Sequence, residues 1–249
     1  MGRADLHIHT SEGDGLDSIE AILDYAESSG ALDVIAITEH DNLDPGFRAR
    51  EAAARRGLRT AVVPGAEITT LQGHLVALFL ESPIPSFLSI EATVEAVRRQ
   101  GAVAIVPHPL SWLTRSIGRG VLERLHARRN EALAPDALEL ATCNPTARTF
   151  IGRARRLNEA LGFPSVGASD AHFKEAIGSA CTEFEGSSPE DLKAALLAGT
   201  ARGVECGFPS LRRVGLVRAL SVPVVGLRAT PRRHGWRRTA WSFVSRYVS

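Results

Sequence analysis

Six of the eight histidines in this 249-residue chain fall into five short groups: His7-Ile8-His9, His40-Asp41, His74, His108 and Asp170-Ala171-His172. Glu67 stands between the second and third groups, and each group lies in or beside a segment that reads as the end of a β-strand. Neutral imidazole combined with carboxylate selects borderline divalent ions such as Zn, Mn or Fe, whereas Ca and Mg favour all-oxygen shells. Alternate residues of a strand point to one face, so His7 and His9 can serve the same ion. The pattern is that of a multinuclear metal site, and a metal-dependent hydrolase is the first reading.

Residues so far apart in sequence need elements that bring them together. Short β-rich apolar runs alternate with longer helical stretches, the signature of βα units around a parallel sheet. Strands are expected over Ala4–His9, Asp33–Thr38, Arg59–Glu67, Val103–Pro107, Ala137–Leu140 and Ser165–Ala168. Thr69–Leu80 alternates around a Gln72-Gly73 turn and reads as a strand extension or hairpin. Helices are expected over Ser18–Ser29, Pro45–Arg56, Ile90–Gln100, Ala147–Leu161 and Pro189–Ala198, and His126 reads as a solvent-facing residue of an Arg-rich helix. Every motif histidine then lies at or just past the C-terminal end of a strand, the rim on which a βα barrel builds its site.

At 44% apolar, the chain is long enough to bury one large core, and two domains are not required. Cys143, Cys181 and Cys206 are an odd number without CxxC spacing, which points to reduced thiols in a cytoplasmic protein rather than a disulfide framework or thiolate zinc site. The run from Met1 into Ala4-Asp5-Leu6-His7 leaves no room for a secretory signal, and no window has the ~18 uninterrupted apolar residues of a membrane span. The net charge of +1 is unevenly spread. Gly207–Ser249 holds nine Arg and no acidic residue, which leaves 20 basic and 28 acidic residues, a net of −8, before Gly207. An acidic body over residues 1–206 and a basic C-terminal extension over 207–249 are the expected units.

The segments Asp5–Gly15 (DLHIHTSEGDG), Ile37–Asn42 (ITEHDN), Gly65–Thr69 (GAEIT), Pro107–Pro109 (PHP) and Gly167–His172 (GASDAH) resemble, in order, the motifs of the PHP (polymerase and histidinol phosphatase) family. The resemblance runs from about Ala4 to Phe184, and Ala137–Phe184 looks like the standalone phosphoesterase branch. It implies a distorted (β/α)7 TIM-like barrel with two or three divalent metal ions, Mn, Zn or Fe. His7, His9, Glu67 and Asp170 match the ligands of one ion, Glu67, His74 and His108 those of a second, and Asp14, His40 and His172 those of a third. Glu67 would bridge the first two. A carboxylate has two oxygens to share between cations, whereas a neutral imidazole has one lone pair. For His74, a solvated turn histidine is the competing reading. Glu12 and Glu39 depart from the residues expected in the first two motifs, which alters local charge without removing a ligand.

The reaction expected is hydrolysis of a phosphomonoester: a nucleotide, a nucleoside bisphosphate, a histidinol phosphate-like compound or the end of a short oligonucleotide. Paired cations would lower the pKa of a bridging water and neutralise phosphoryl oxygens. His172 and Asp41 are the candidates to deliver a proton, and Asp41 is also a candidate to orient a ligand histidine. Arg115, Arg119 and Arg148 are candidate phosphate contacts, because a guanidinium offers a planar fork to two oxygens, and Asn144 is a candidate hydrogen-bonding partner for substrate. An amidohydrolase-type enzyme is the nearest rival, but its usual bridge is a carboxylated lysine, and the only lysines here are Lys174 and Lys193. A non-catalytic module docking on nucleic acid or an anionic membrane is the other rival. Trp236, Ala240, Val244 and Val248 recur every four residues, so the extension is expected to form an amphipathic helix packed on the barrel or on a second copy of the chain.

Overall fold

The computed structural model describes residues 1–128, 131–144, 147–218, 220–222 and 225. Nine strands make one sheet: β1 (Gly2–Ile8), β2 (Val34–Ile37), β3 (Ala61–Thr69), β4 (His74–Leu78), β5 (Val103–Val106), β6 (Ala137–Ala141), β7 (Ser165–Gly167), β8 (Ala180–Phe184) and β9 (Arg202–Glu205). The helices are α1 (Ile19–Ser29), α2 (Asp44–Arg56), α3 (Ile90–Arg99), α4 (Arg119–Ala127), α5 (Arg148–Leu161), α6 (Pro189–Ala198) and α7 (Leu211–Val214). Local chemistry sets their ends. The Ser18 side chain caps α1 by accepting from the Ala21 N–H, and Gly30, at φ 59, ends it. Ser188 and Asp191 form a reciprocal capping box that starts α6.

The sheet order is β7-β6-β5-β4-β3-β2-β1-β8-β9, curled into a nearly closed barrel. The pairings run seven strands in one direction, with β4 and β8 reversed. This is the distorted α/β barrel expected from the motifs. Its sheet is mixed rather than parallel because β3 and β4 form the Gln72-Gly73 hairpin and because two strands, β8 and β9, follow the last motif. The hairpin agrees with the reading of Thr69–Leu80, whereas β8 and β9 were not expected. His74 is also not at a C-terminal end: it opens β4, and the reversal of that strand brings its N-terminal end to the same rim.

The barrel ends are joined by an unusual seam. At the rim, Ala171 N–H donates to the His7 carbonyl (3.1 Å) and His9 N–H to the Ala171 carbonyl (2.9 Å). Below it, the Thr182 hydroxyl donates to the Gly167 carbonyl (2.8 Å) and accepts from the Gly167 N–H (3.1 Å). The β9 backbone comes so close to β7 that a Cβ on Gly203 would stand 2.6 Å from the Val166 carbonyl carbon. Glycine is the residue that permits this approach.

Inside the barrel, Ala4, Leu6, Val34, Ala36, Val63 and Ala137 share one cluster with Leu192, Ala195 and Leu196 of α6. Ile8, Ile35 and Ile37 belong instead to an outer layer under α1 and α2. The face of β1 therefore switches between Leu6 and Ile8, and a register shift between Asp5 and Ile8 supplies the switch. That irregularity turns His7 and His9 inward. On β3, Glu67 shares the inward face of Val63, and on β6 Glu139 shares that of Ala137.

After β9, Phe208 meets Phe173 edge to face, and Val214 is buried in the layer around α1. Arg218 pairs with Asp17 (2.6 Å) and Glu175 (3.4 Å). The amphipathic pattern at Trp236–Val248 lies outside the described residues. Among the described residues no helix is long and apolar enough to cross a membrane.

Candidate metal centre

Glu67, almost fully buried at the end of β3, has imidazoles on both oxygens. Its Oε2 lies 3.4 Å from His7 Nε2, 3.4 Å from His9 Nε2 and 3.0 Å from His40 Nδ1. Its Oε1 lies 2.7 Å from His74 Nδ1 and 3.1 Å from His108 Nε2. Asp170 Oδ1 completes the first group at 3.5 Å from both His7 Nε2 and His9 Nε2, which are themselves 3.1 Å apart. Asp14 Oδ2 stands 3.3 Å from both His40 Nε2 and His172 Nε2. All three residue sets expected from the motifs are thus brought together on one rim. His74 is part-buried against Glu67 rather than a solvated turn residue.

The donor set fits divalent ions. Ligand bonds of about 2.0–2.2 Å in tetrahedral geometry place neighbouring donor atoms roughly 3.3–3.6 Å apart. The distances of 3.1–3.5 Å among His7 Nε2, His9 Nε2 and Asp170 Oδ1 match such edges, and Glu67 Oε2 lies 3.4 Å from each of the two imidazole nitrogens. The far nitrogens are occupied in the manner that frees the near ones. His7 Nδ1 meets Glu139 Oε2 at 3.1 Å, His9 Nδ1 meets Glu39 Oε1 at 3.3 Å, His108 Nδ1 meets Ser116 Oγ at 2.8 Å, and His172 Nδ1 meets the Asp170 carbonyl at 3.0 Å. A proton on each Nδ1 leaves the Nε2 lone pair facing the centre.

Burial pulls the imidazoles toward their neutral form and prevails at His74, whereas at His7, His9, His40 and His172 the carboxylates outweigh it. His40 is pushed up to about 9 by Glu67 and Asp14, and His7 and His9 are held well above the ordinary histidine range. Conversely, burial would raise Glu67, Asp14 and Asp170, yet the surrounding histidines hold all three below the usual carboxylate range. Backbone strain accompanies the ligands: Asp170 (φ 51), His108 (φ 31) and Asp41 (φ 50) occupy the left-handed region. Such conformations cost of order 1–3 kcal/mol each and persist where the surroundings fix them.

Other expected residues have defined places. Asp41 accepts from the Thr69 N–H and hydroxyl, both at 2.7 Å, which ties the loop after β2 to the β3–β4 hairpin. The Arg115 guanidinium donates to the Thr70 carbonyl (2.8 Å) beside that hairpin, and Arg119 pairs with Glu123 one turn along α4. Asn144 is partly exposed just after β6, and Arg148 opens α5. His126 is half-buried edge to face against Phe163 rather than facing solvent. Glu39 is a buried support, accepting from the Thr10 N–H (2.9 Å) and hydroxyl (2.7 Å), while Glu12 pairs with Arg48.

Two functional carboxylates escaped the sequence reading. Glu139 supports His7, and its one signal was a charge on the inward face of an apolar strand. Asp5, with no exposed surface, accepts from the Ser169 hydroxyl (2.6 Å) and N–H (3.0 Å) and the Gly178 N–H (2.8 Å), joining β1 to the loop that carries Asp170 and His172.

A family model described as PHP-associated matches residues 150–201. An uncharacterized protein of Methanocaldococcus jannaschii is 37% identical over 132 residues, covering 49% of this chain and 75% of that protein. The chain belongs to the PHP family. A neighbour of known structure, a two-domain protein from Bacteroides vulgatus described as containing a predicted PHP-like metal-dependent phosphoesterase, superposes with a TM-score of 0.63 at 20% identity, over 82% of this chain and 64% of that one. The 5′-3′ exoribonuclease Rnm of Salmonella typhimurium is 29% identical over 153 residues, 60% of this chain. The matched region spans 46% of that relative's length.

Proposed function

We propose that this PHP chain hydrolyses a phosphoester at the end of a nucleotide or short oligonucleotide, using ions held on the two sides of Glu67. The observation that carries the reading is the placement of Glu67, with His7, His9 and His40 around one oxygen and His74 and His108 around the other. The exoribonuclease relative supports the nucleotide class of substrate. Divalent ions in such a pair supply positive charge to phosphoryl oxygens and make hydroxide available near neutral pH.

The chain's own residues do the rest. Glu139 and Glu39 fix the tautomer and ring orientation of His7 and His9. Asp14, His40 and His172 form the outer group; with Nε2 protonated rather than ligating an ion, His172 is our candidate to pass a proton to the leaving oxygen. Asp41, already engaged by Thr69, is assigned a positioning role instead. Arg148 and Asn144, which flank the loop after β6, are assigned to substrate contacts. Arg115, on the loop after β5, and Arg119, which opens α4, have the Thr70 carbonyl and Glu123 as partners and are assigned a supporting role beside the site. Glu67 fills the bridging place for which the amidohydrolase rival needs a modified lysine.

Elemental analysis of the purified protein, coupled to a hydrolysis screen over nucleotides, sugar phosphates and 5′-phosphorylated oligonucleotides, tests the reading. The expected result is bound Mn, Zn or Fe together with phosphate or nucleotide release. Full metal occupancy with no phosphoester turned over would overturn it.

A further inference from the structure

Trp112 is 73% exposed and Leu113 beside it 51%, an unusual expense of apolar surface on the rim that carries the metal centre. Their loop leaves β5 through His108 and is stapled on both sides of its tip. The Ser116 and Thr114 hydroxyls lie 2.8 and 3.2 Å from His108 Nδ1, the Arg115 carbonyl accepts from the His74 N–H (2.8 Å), and Leu110 N–H donates to the Ile117 carbonyl (3.1 Å). Two residues of the metal centre therefore fix the loop that presents the indole. The ring is also held from the side, since Phe150 of α5 meets it edge to face at 5.9 Å. Trp112 so bridges the rim loop that follows β5 and the first turn of α5. Four residues of chain span at most about 14 Å, which keeps Trp112 within a nucleotide's reach of His108.

We infer that Trp112 is a base-stacking platform that selects substrates carrying a nucleobase next to the phosphoester under attack. An indole held by an aromatic neighbour loses little freedom when a base covers its open face, and stacking of this kind tolerates any base. The cation in the same loop, Arg115, donates to the Thr70 carbonyl, so the tip offers an aromatic surface. The inference rests on the phosphoesterase reading for its chemistry and adds what the site recognises beyond phosphate.

The test compares a 5′-phosphorylated adenine dinucleotide with the same compound lacking its first base. Trp112→Ala should raise KM for the dinucleotide about tenfold, leave kcat unchanged, and leave KM for the base-free compound within about twofold. Trp112→Phe should restore most of the difference. In a Trp236→Phe/Trp241→Phe background, where Trp112 is the sole tryptophan, the dinucleotide should quench indole fluorescence and the base-free compound should not. Equal effects on both compounds, or no effect on either, would overturn the stacking role, as would a change confined to oligomeric state. A wild type that hydrolyses neither compound while the dinucleotide still quenches Trp112 would defeat the phosphoesterase reading and leave the stacking site standing.

Discussion

Glu67→Gln keeps the side chain's shape and removes one negative charge from among five imidazoles. Metal content and turnover should fall together, as elemental analysis and a hydrolysis assay would show. A variant with full occupancy and wild-type rate would exclude the bridge. Glu139→Gln acts one step further out: losing the charged partner of His7 should weaken metal affinity by about 10–100-fold while the barrel stays folded. Asp5 supplies a pH test. Burial pushes its carboxyl up to about 6, against the N–H and O–H donors that pull it down. A raised folded-state pKa means the native state binds the proton more tightly, so the stabilisation is complete below pH ~4 and is lost as pH rises through about 6. Relative to Asp5→Asn, the wild type should lose roughly 3 kcal/mol over that interval, read from denaturant melts at each pH. A constant difference would refute the shift. The ligands were legible in sequence because metal chemistry demands particular residue types at strand ends. Glu139 and Asp5 were not, since their partners, His7 and Ser169, lie 132 and 164 residues away.

Strands carrying motifs were readable from apolar runs, whereas β8 and β9 were not. β9, Arg202–Glu205, is partly exposed along its length, and its hydrophobic pattern is too weak to announce a strand. The β1 irregularity was equally hidden, since a register shift leaves no compositional mark, yet it decides where His7 and His9 point. The hairpin was visible through its turn. What sequence could not supply was direction: a reversed β4 places His74 at the rim from the opposite end of a strand. Gly203→Val tests β9 as a packed element. A side chain there meets the Val166 backbone, so thermal melting should show a loss of about 1–3 kcal/mol from forced separation of β9 and β7. Unchanged stability would mean that β9 does not hold that position.

For the molecule as a whole, three apolar clusters that contain none of the candidate ligands hold the barrel. Chelation should therefore abolish hydrolysis while a cooperative melt persists, and complete unfolding in chelator would argue for a structural role of the metal instead. The seam has a further consequence. Around most of the barrel, neighbouring strands share backbone ladders, but at the two ends of the sheet β9 meets β7 through the Gly203 contact, while the Thr182 hydroxyl of β8, Asp5 of β1 and two backbone bonds to Ala171 close the rest. Local opening should begin there, because fewer backbone hydrogen bonds must break at once. In native-state hydrogen exchange, the amides of β7 and β9 should therefore exchange well before those of β2 and β3. Since β7 runs directly into Ser169 and Asp170, the same excursion would loosen Asp170 without disturbing Glu67, making Asp170 the ligand through which slow breathing of the barrel reaches the metal centre.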